Sequence, residues 1–250
     1  MVAQVQHKSR HHHAGLSLLR HALTTPSTST PSRNHTRHKG IDATANTFNP
    51  LLISCDSEQA ILKASNILAL KEHASILELL ARGSCIAMLK KSGVAHLPLP
   101  ADAGQMPEFF LFPGYLGSSQ ADLQTRWHGI FQQHQQPERV GMVRFRLYAQ
   151  LRAEATIHDI AALNRLEEEI PLTPQYLRKR FESPPQGLSL LVLRAYRLAE
   201  PLMLVDRPMY ESARNWVKLE TALPVRGLTP VVADQEFELR VSRLRSILCS

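Results

Sequence analysis

In the stretch Met142-Val143-Arg144-Phe145-Arg146-Leu147-Tyr148-Ala149-Gln150-Leu151-Arg152-Ala153, apolar and polar residues alternate strictly from Val143 onward. A period of two over this length demands a β-strand with one buried face. The other face then carries a row of arginines, Arg144, Arg146 and Arg152, and a tyrosine, Tyr148. Arginine suits bidentate contact with phosphate or carboxylate, and tyrosine can stack on a base. The competing reading is a wet sheet face whose arginines pair with acids such as Glu167, Glu168 and Glu169.

Downstream of this strand, Thr156-Ile157-His158-Asp159 has the layout of a capping box, and a helix is expected through Leu163 and Leu166 until Pro171. Thr173-Pro174 starts another helix, since proline is pre-set for the first helical position. That helix carries Arg178, Lys179 and Arg180 and ends before Pro184-Pro185. Leu188 to Leu198 is almost continuously apolar and reads as a central strand whose far end reaches solvent. Leu202–Val205 and Trp216–Leu219 read as two further short strands. Asp234 caps a last helix, with Phe237, Val241, Leu244 and Leu248 on one face.

Upstream, Ser57 to Arg82 reads as one long helix or two shorter ones. Apolar residues fall near a 3.6 period, Ser57 is a good N-cap, and Gly83 is a good residue to follow the C-cap. His73 on this segment reads as structural. Cys85–Leu89 is a short strand, and Lys90-Lys91-Ser92-Gly93 turns the chain. The lysine pair is either a solvated turn or the start of an anion site built from ammonium groups and turn amides. Pro98, Pro100 and Pro107 mark a loop before a second strand, Glu108–Phe112. A helix is expected over Leu123–Phe131, with Trp127 on it. The expected fold is a single α+β domain over residues 56–250, a small curved mixed sheet of about five strands packed by helices.

The formal charge of +7 is unevenly placed. Residues 1–55 hold Lys8, Arg10, Arg20, Arg33, Arg37 and Lys39 against one acid, Asp42, whereas residues 56–250 are close to neutral. A whole-chain argument for nucleic acid is therefore misleading. Residues 1–55 read as a disordered basic segment that is either an organellar transit peptide or a plain tail. The first places the protein in a plastid or mitochondrion, the second in the cytoplasm. Its apolar cluster, Leu16 to Leu23, is too short and broken for a membrane span. Cys55, Cys85 and Cys249 are far apart and odd in number, so neither a zinc site nor a redox dithiol is indicated. His11-His12-His13 has no further ligands at metal spacing.

Leu70-Lys71-Glu72, Gly83, the strand into Lys90-Lys91-x-Gly93-Val94, and Leu111-Phe112-Pro113-x-Tyr115 follow one family's pattern. So do Tyr176-x-x-x-Arg180-Phe181, Leu193-Arg194-x-Tyr196-Arg197-Leu198, Tyr210 and Trp216-Val217. From about Leu70 to Leu248 the chain resembles the domain of unknown function 1802 family, which has no established activity. The resemblance implies a compact stand-alone domain and, through some members, an association with restriction-endonuclease-type domains. Where members read Leu-Arg-Lys-Gly-Gly-Ile, this chain has Leu89-Lys90-Lys91-Ser92-Gly93-Val94. Where they read Pro-Thr-x-x-His-Gln, it has Pro113-Gly114-Tyr115-Leu116-Gly117-Ser118, without the pair that could serve acid–base chemistry.

Phosphate-loop, dinucleotide, metalloprotease and serine-hydrolase motifs are all absent, so no catalytic residue, metal or cofactor is assigned. The leading expectation is a non-catalytic binding module with an anion-accepting surface. Lys90, Lys91, Gly93, Pro113, Arg144, Arg146 and Arg194 would form it, with Tyr115, Tyr148 and Trp216 as stacking groups. The expected partner is nucleic acid or an acidic protein. The alternatives are a hydrolase or nuclease-associated domain using Asp102 and Glu108, or an organellar assembly protein.

Overall fold

The computed structural model describes residues 47–49 as backbone, and residues 62–91 and 106–249 in full. The expectations placed on residues 1–46, on Ser57 and on Ser92, Gly93 and Asp102 lie outside the described residues.

Eight strands form one mixed sheet: β1 (Thr47–Asn49), β2 (Ser65–His73), β3 (Ala87–Lys90), β4 (Glu108–Gly114), β5 (Met142–Ile157), β6 (Leu188–Val205), β7 (Trp216–Pro224) and β8 (Thr229–Pro230). The order along the sheet is β3-β6-β5-β4-β2-β7, with β1 added to β5 and β8 to β6. Among the described residues only β2 and β4 pair parallel. The helices are α1 (Ala74–Ala81), α2 (His128–Gln133), α3 (Ile160–Arg165), α4 (Pro174–Glu182), α5 (Pro208–Ser212) and α6 (Asp234–Cys249).

The expected strand around Phe145 is the axis of the fold, but it is longer than its alternating pattern. β5 and β6 pair antiparallel from Met142↔Val205 to Ile157↔Leu188. The separate strand expected at Leu202–Val205 is therefore the end of β6. Register shifts at Phe145/Leu147 and Leu151/Ala153 interrupt the ladder. Such bulges bend a strand and increase its twist, so different parts of one ladder can serve different layers. Near the Ile157 end, β5 and β6 pack Leu190 and Val192 against Leu163 of α3, Phe181 of α4 and Phe237 of α6. In the middle, Leu151 and Leu193 pack with Leu79 of α1 and Leu111 of β4. Across the sheet, Phe145 and Tyr148 meet Phe110, Phe112 and Tyr210.

Burial on both faces explains two departures from expectation. The polar side of β5 is not a continuous wet face, because Tyr148 and Gln150 are buried. Residues 65–73, which fall inside the helical reading of Ser57 to Arg82, form a strand. In β2, Leu68, Ala69 and Leu70 are all buried and belong to clusters on opposite faces, so no alternation marks the strand. A doubly buried strand cannot be told from a helix by period alone. The helix proper is α1, and Gly83 follows its C-cap at φ +69°, with its amide donating to Leu80 O at 3.0 Å. Its left-handed backbone is open to glycine at no steric cost. The capping residue of α3 is Asp159 rather than Thr156, which lies in β5; its carboxylate accepts from Ala161 N and Ala162 N. The helix expected over Leu123–Phe131 is a 3₁₀ turn, Thr125–Trp127, followed by α2.

Thr173 caps α4 as the Thr-Pro signature predicts. The buried positions of α6 are Phe237, Val241, Leu244 and Leu248, again as expected. Among the described residues no helix is long and apolar enough to cross a membrane.

Candidate binding cleft

The parallel pairing of β2 and β4 brings their C-terminal ends together, with Lys71↔Phe112, Glu72↔Pro113 and His73↔Gly114 in register. From there the two chains diverge. β2 runs into α1, and β4 into the loop Tyr115-Leu116-Gly117-Ser118. Tyr176 and Arg180 face the gap from α4, and Arg214 from the segment before β7. The result is a cleft of about 520 Å³.

Its floor is an ion pair. Lys90 Nζ lies 2.7 Å from Glu72 Oε2 and donates to Lys71 O at 2.7 Å. Glu72 Oε1 accepts from His73 N at 2.8 Å. Burial alone pushes the Glu72 carboxyl up, but the Lys90 charge and hydrogen bond, the His73 amide and the Arg180 charge together bring it below the usual carboxylate range. The Glu72 carboxylate therefore stays ionised at neutral pH. Lys71 crosses the cleft to donate to Tyr210 O at 2.9 Å and Glu211 O at 3.0 Å, and packs over Phe112. Burial lowers its ammonium pKa, against the pull of Asp206 and Glu211.

Two cations at the mouth differ from these. Arg180 donates to Tyr176 Oη at 3.1 Å and lies over the same ring, an i, i+4 pair on one face of α4. Neither Arg180 nor the exposed Arg214 has a carboxylate within ion-pair distance among the described residues.

His73 sits on the cleft wall and caps α1: its Nδ1 accepts from Ser75 N at 3.3 Å, and its ring stacks on Phe131 at 5.0 Å. Burial holds its pKa below 6.5, against the opposing charge of Glu72; His134 adds to the depression and Asp122 resists it. The unfolded chain therefore takes up a proton as pH falls through 6.5 while the folded chain resists it, and this contribution to stability falls on acidification. The melting temperature should drop as pH falls below 6.5, and His73→Asn, which keeps a capping oxygen, should flatten that drop. Equal slopes in the two proteins would show that other groups carry the pH dependence.

The residues expected at a site do not form one surface. Lys90, Pro113 and Tyr115 line the cleft just described. Arg144 and Arg146 line a second hollow, which shares only Pro113 and Tyr115 with the first. Arg144 is paired with Glu138, and Arg146 with Glu78 at 3.1 Å. Lys91 turns away and donates to the carbonyls of Arg180, Phe181 and Gly187, closing the end of α4. Trp216 meets Phe109 edge-on at 5.0 Å.

Tyr148 and Arg194 are inside the protein. The Tyr148 hydroxyl donates to Glu108 Oε2 at 2.9 Å and accepts from Asn66 Nδ2 at 2.9 Å, and burial drives its pKa far up. Arg194 donates to Val232 O at 2.6 Å, pairs with Asp234 and lies over Phe237. Glu108 is buried and also accepts from Lys63 N at 3.0 Å. Among the described residues no group of three or more His, Cys, Asp and Glu side chains could hold a metal.

Lys71, Glu72, Tyr176, Arg180 and Arg214 were not among the expected site residues. Four of them carried a signal all the same: Lys71-Glu72 and Tyr176-x-x-x-Arg180 are part of the family pattern, and the cleft is where these pieces meet. Gly117 and Ser118, which stand where the family has its His-Gln pair, lie on the same cleft.

These features define the class: an α+β domain with a polar cleft at the ends of a parallel strand pair. The family described as domain of unknown function (DUF1802) matches over residues 69–243, and the chain belongs to that family. No curated protein matches the chain. Among solved structures it is similar to the ASCH protein of Zymomonas mobilis, at 14% identity and a TM-score of 0.34, covering 70% of this chain and 93% of that one. Two single-substitution variants of the same protein match at 14% and 16% identity with the same TM-score, each over 70% of this chain and over 96% and 94% of theirs. A likeness of that size adds nothing about function.

Proposed function

We propose that the protein is a binding module that takes a phosphate-bearing ligand, with single-stranded nucleic acid as the leading class, in the cleft between β2, β4 and α4. The observation that carries this reading is the pair Arg180 and Arg214. Neither has a carboxylate within ion-pair distance among the described residues, Arg180 lies over the Tyr176 ring, and Tyr115 and Arg214 line the same cleft. Guanidinium groups recognise phosphate through paired donors, and the neighbouring rings offer stacking faces for bases. The Lys90–Glu72 pair and Lys71 are already satisfied, so they shape the floor rather than supply free charge. Arg144 and Arg146, which the β5 pattern nominated, are ion-paired and play a lesser part in this reading.

The test is fluorescence anisotropy of the full chain with labelled single-stranded RNA and DNA at rising salt. Affinity should fall steeply with salt, and Arg180→Ala/Arg214→Ala should weaken binding and reduce the log–log salt slope by roughly 1–2. A flat salt response, or a double variant that binds like the wild type, overturns the reading.

A further inference from the structure

The second hollow has a different chemistry from the cleft. It measures about 230 Å³ and lies on the other side of the β4 end, where Pro113 and Tyr115 separate the two. Its floor is apolar: Leu77 and Ala81 from α1, Leu111 from β4, and Met142 and Leu147 from β5, with the exposed Met203 of β6 at its mouth. Its rim is charged and not balanced. Arg139, Arg144 and Arg146 stand there with two carboxylates, Glu78 and Glu138. The Glu78 carboxylate is shared, with Arg82 at 2.8 Å, Arg146 at 3.1 Å and His134 at 3.9 Å. Glu138 is engaged by Arg144, and the Arg139 guanidinium has no acid partner among the described residues.

We propose that this hollow is a separate binding site for a small organic anion, with an apolar body of one or two rings on the Leu77–Leu111–Leu147 floor and its carboxylate at Arg139, the rim guanidinium without an acid partner among the described residues. The volume lies below the roughly 300–1,000 Å³ that holds drug-sized ligands, which sets the size of the guest. A cation is disfavoured, because both rim acids are already occupied and a further positive charge would crowd the three arginines. A neutral apolar guest fits the floor but leaves Arg139 without a counter-charge. A nucleic acid strand fits poorly, since a narrow apolar floor offers no room for a sugar–phosphate chain. The site is thus independent of the phosphate cleft, although the two share the β4 end.

The experiment is isothermal titration calorimetry of the full chain with 2-naphthoate and its neutral counterpart 2-naphthalenemethanol. Naphthoate should bind with one-to-one stoichiometry, and the alcohol about tenfold or more weaker, the difference expected when a charged hydrogen bond is lost. Arg139→Ala should weaken naphthoate about three- to tenfold and leave the alcohol unchanged. Met203 is exposed at the mouth, so Met203→Trp should fill the hollow and abolish binding of both at an unchanged melting temperature. Arg180→Ala/Arg214→Ala should bind naphthoate like the wild type, which separates this site from the cleft. No saturable binding, equal affinity for naphthoate and alcohol, an Arg139→Ala variant with wild-type affinity, or binding that survives in a folded Met203→Trp protein each overturns the proposal.

Discussion

Glu72→Leu is expected to destabilise the protein by about 3 kcal/mol, because it leaves the Lys90 ammonium buried without its counter-charge. The Lys90 side chain is only 5% exposed and Glu72 is 16% exposed, so solvent can screen little of the loss. The remaining bond from Lys90 Nζ to Lys71 O does not neutralise the charge. For a domain of this size each kcal/mol moves the melting temperature by roughly 2–4 °C, so a fall of about 6–12 °C should be seen by calorimetry. The double variant Glu72→Leu/Lys90→Met should recover most of it, since a buried ion pair replaced by apolar groups is often close to neutral. If Glu72→Leu melts like the wild type, the pair is not buried as described. The same double variant should keep its phosphate-ligand affinity within a few-fold, since Arg180 and Arg214 remain in place.

Arg194→Ala should cost roughly 2–3 kcal/mol and leave nucleic-acid binding unchanged, the opposite of what its place among the expected anion-accepting residues implied. The side chain holds α6 to the sheet. It donates to Val232 O just before the helix, pairs with Asp234 at its first turn, and lies 4.7 Å from the Phe237 ring centroid. Asp234 is largely exposed, so the bond to the buried carbonyl and the contact with the ring carry most of the effect. Arg194→Lys should recover part of the loss, because an ammonium keeps the charge but not the planar fork. Chemical denaturation beside the anisotropy titration checks both halves. A stable Arg194→Ala protein with impaired binding would return Arg194 to the ligand surface.

Local chemistry was legible wherever one face of an element was wet. The spacing of Phe237, Val241, Leu244 and Leu248 marked α6, and Thr173-Pro174 marked the start of α4. The alternation around Phe145 marked β5. Legibility failed where both faces were covered. β2 looked helical because Leu68, Ala69 and Leu70 are buried together, and Tyr148 looked solvent-facing because it shares its alternate positions with Arg144, Arg146 and Arg152. The tyrosine points under β2, into a pocket closed by Asn66 and Glu108, partners 82 and 40 residues away in the chain. The candidate cleft was hidden for a related reason. Lys71, Arg180 and Arg214 come from β2, α4 and the segment before β7, three distant parts of the chain that meet around the end of the β2–β4 pair. What the residue pattern did hold was the Tyr176–Arg180 spacing, which puts ring and guanidinium on one face of α4.

The place of β2 between β4 and β7 has a consequence for how the protein is made. One edge of β2 is covered by β4, which follows it closely, but the other is covered by β7, about 140 residues further along the chain. At a synthesis rate of about 5–20 residues per second, the ribosome needs roughly 7–30 s to reach it. Through that interval an edge strand with apolar side chains on both faces has no partner, the arrangement that invites pairing with another nascent chain. Slower elongation after residue 73, or crowding of ribosomes on one message, should therefore lower the soluble yield, whereas a stalled chain that already includes residue 224 should be protected.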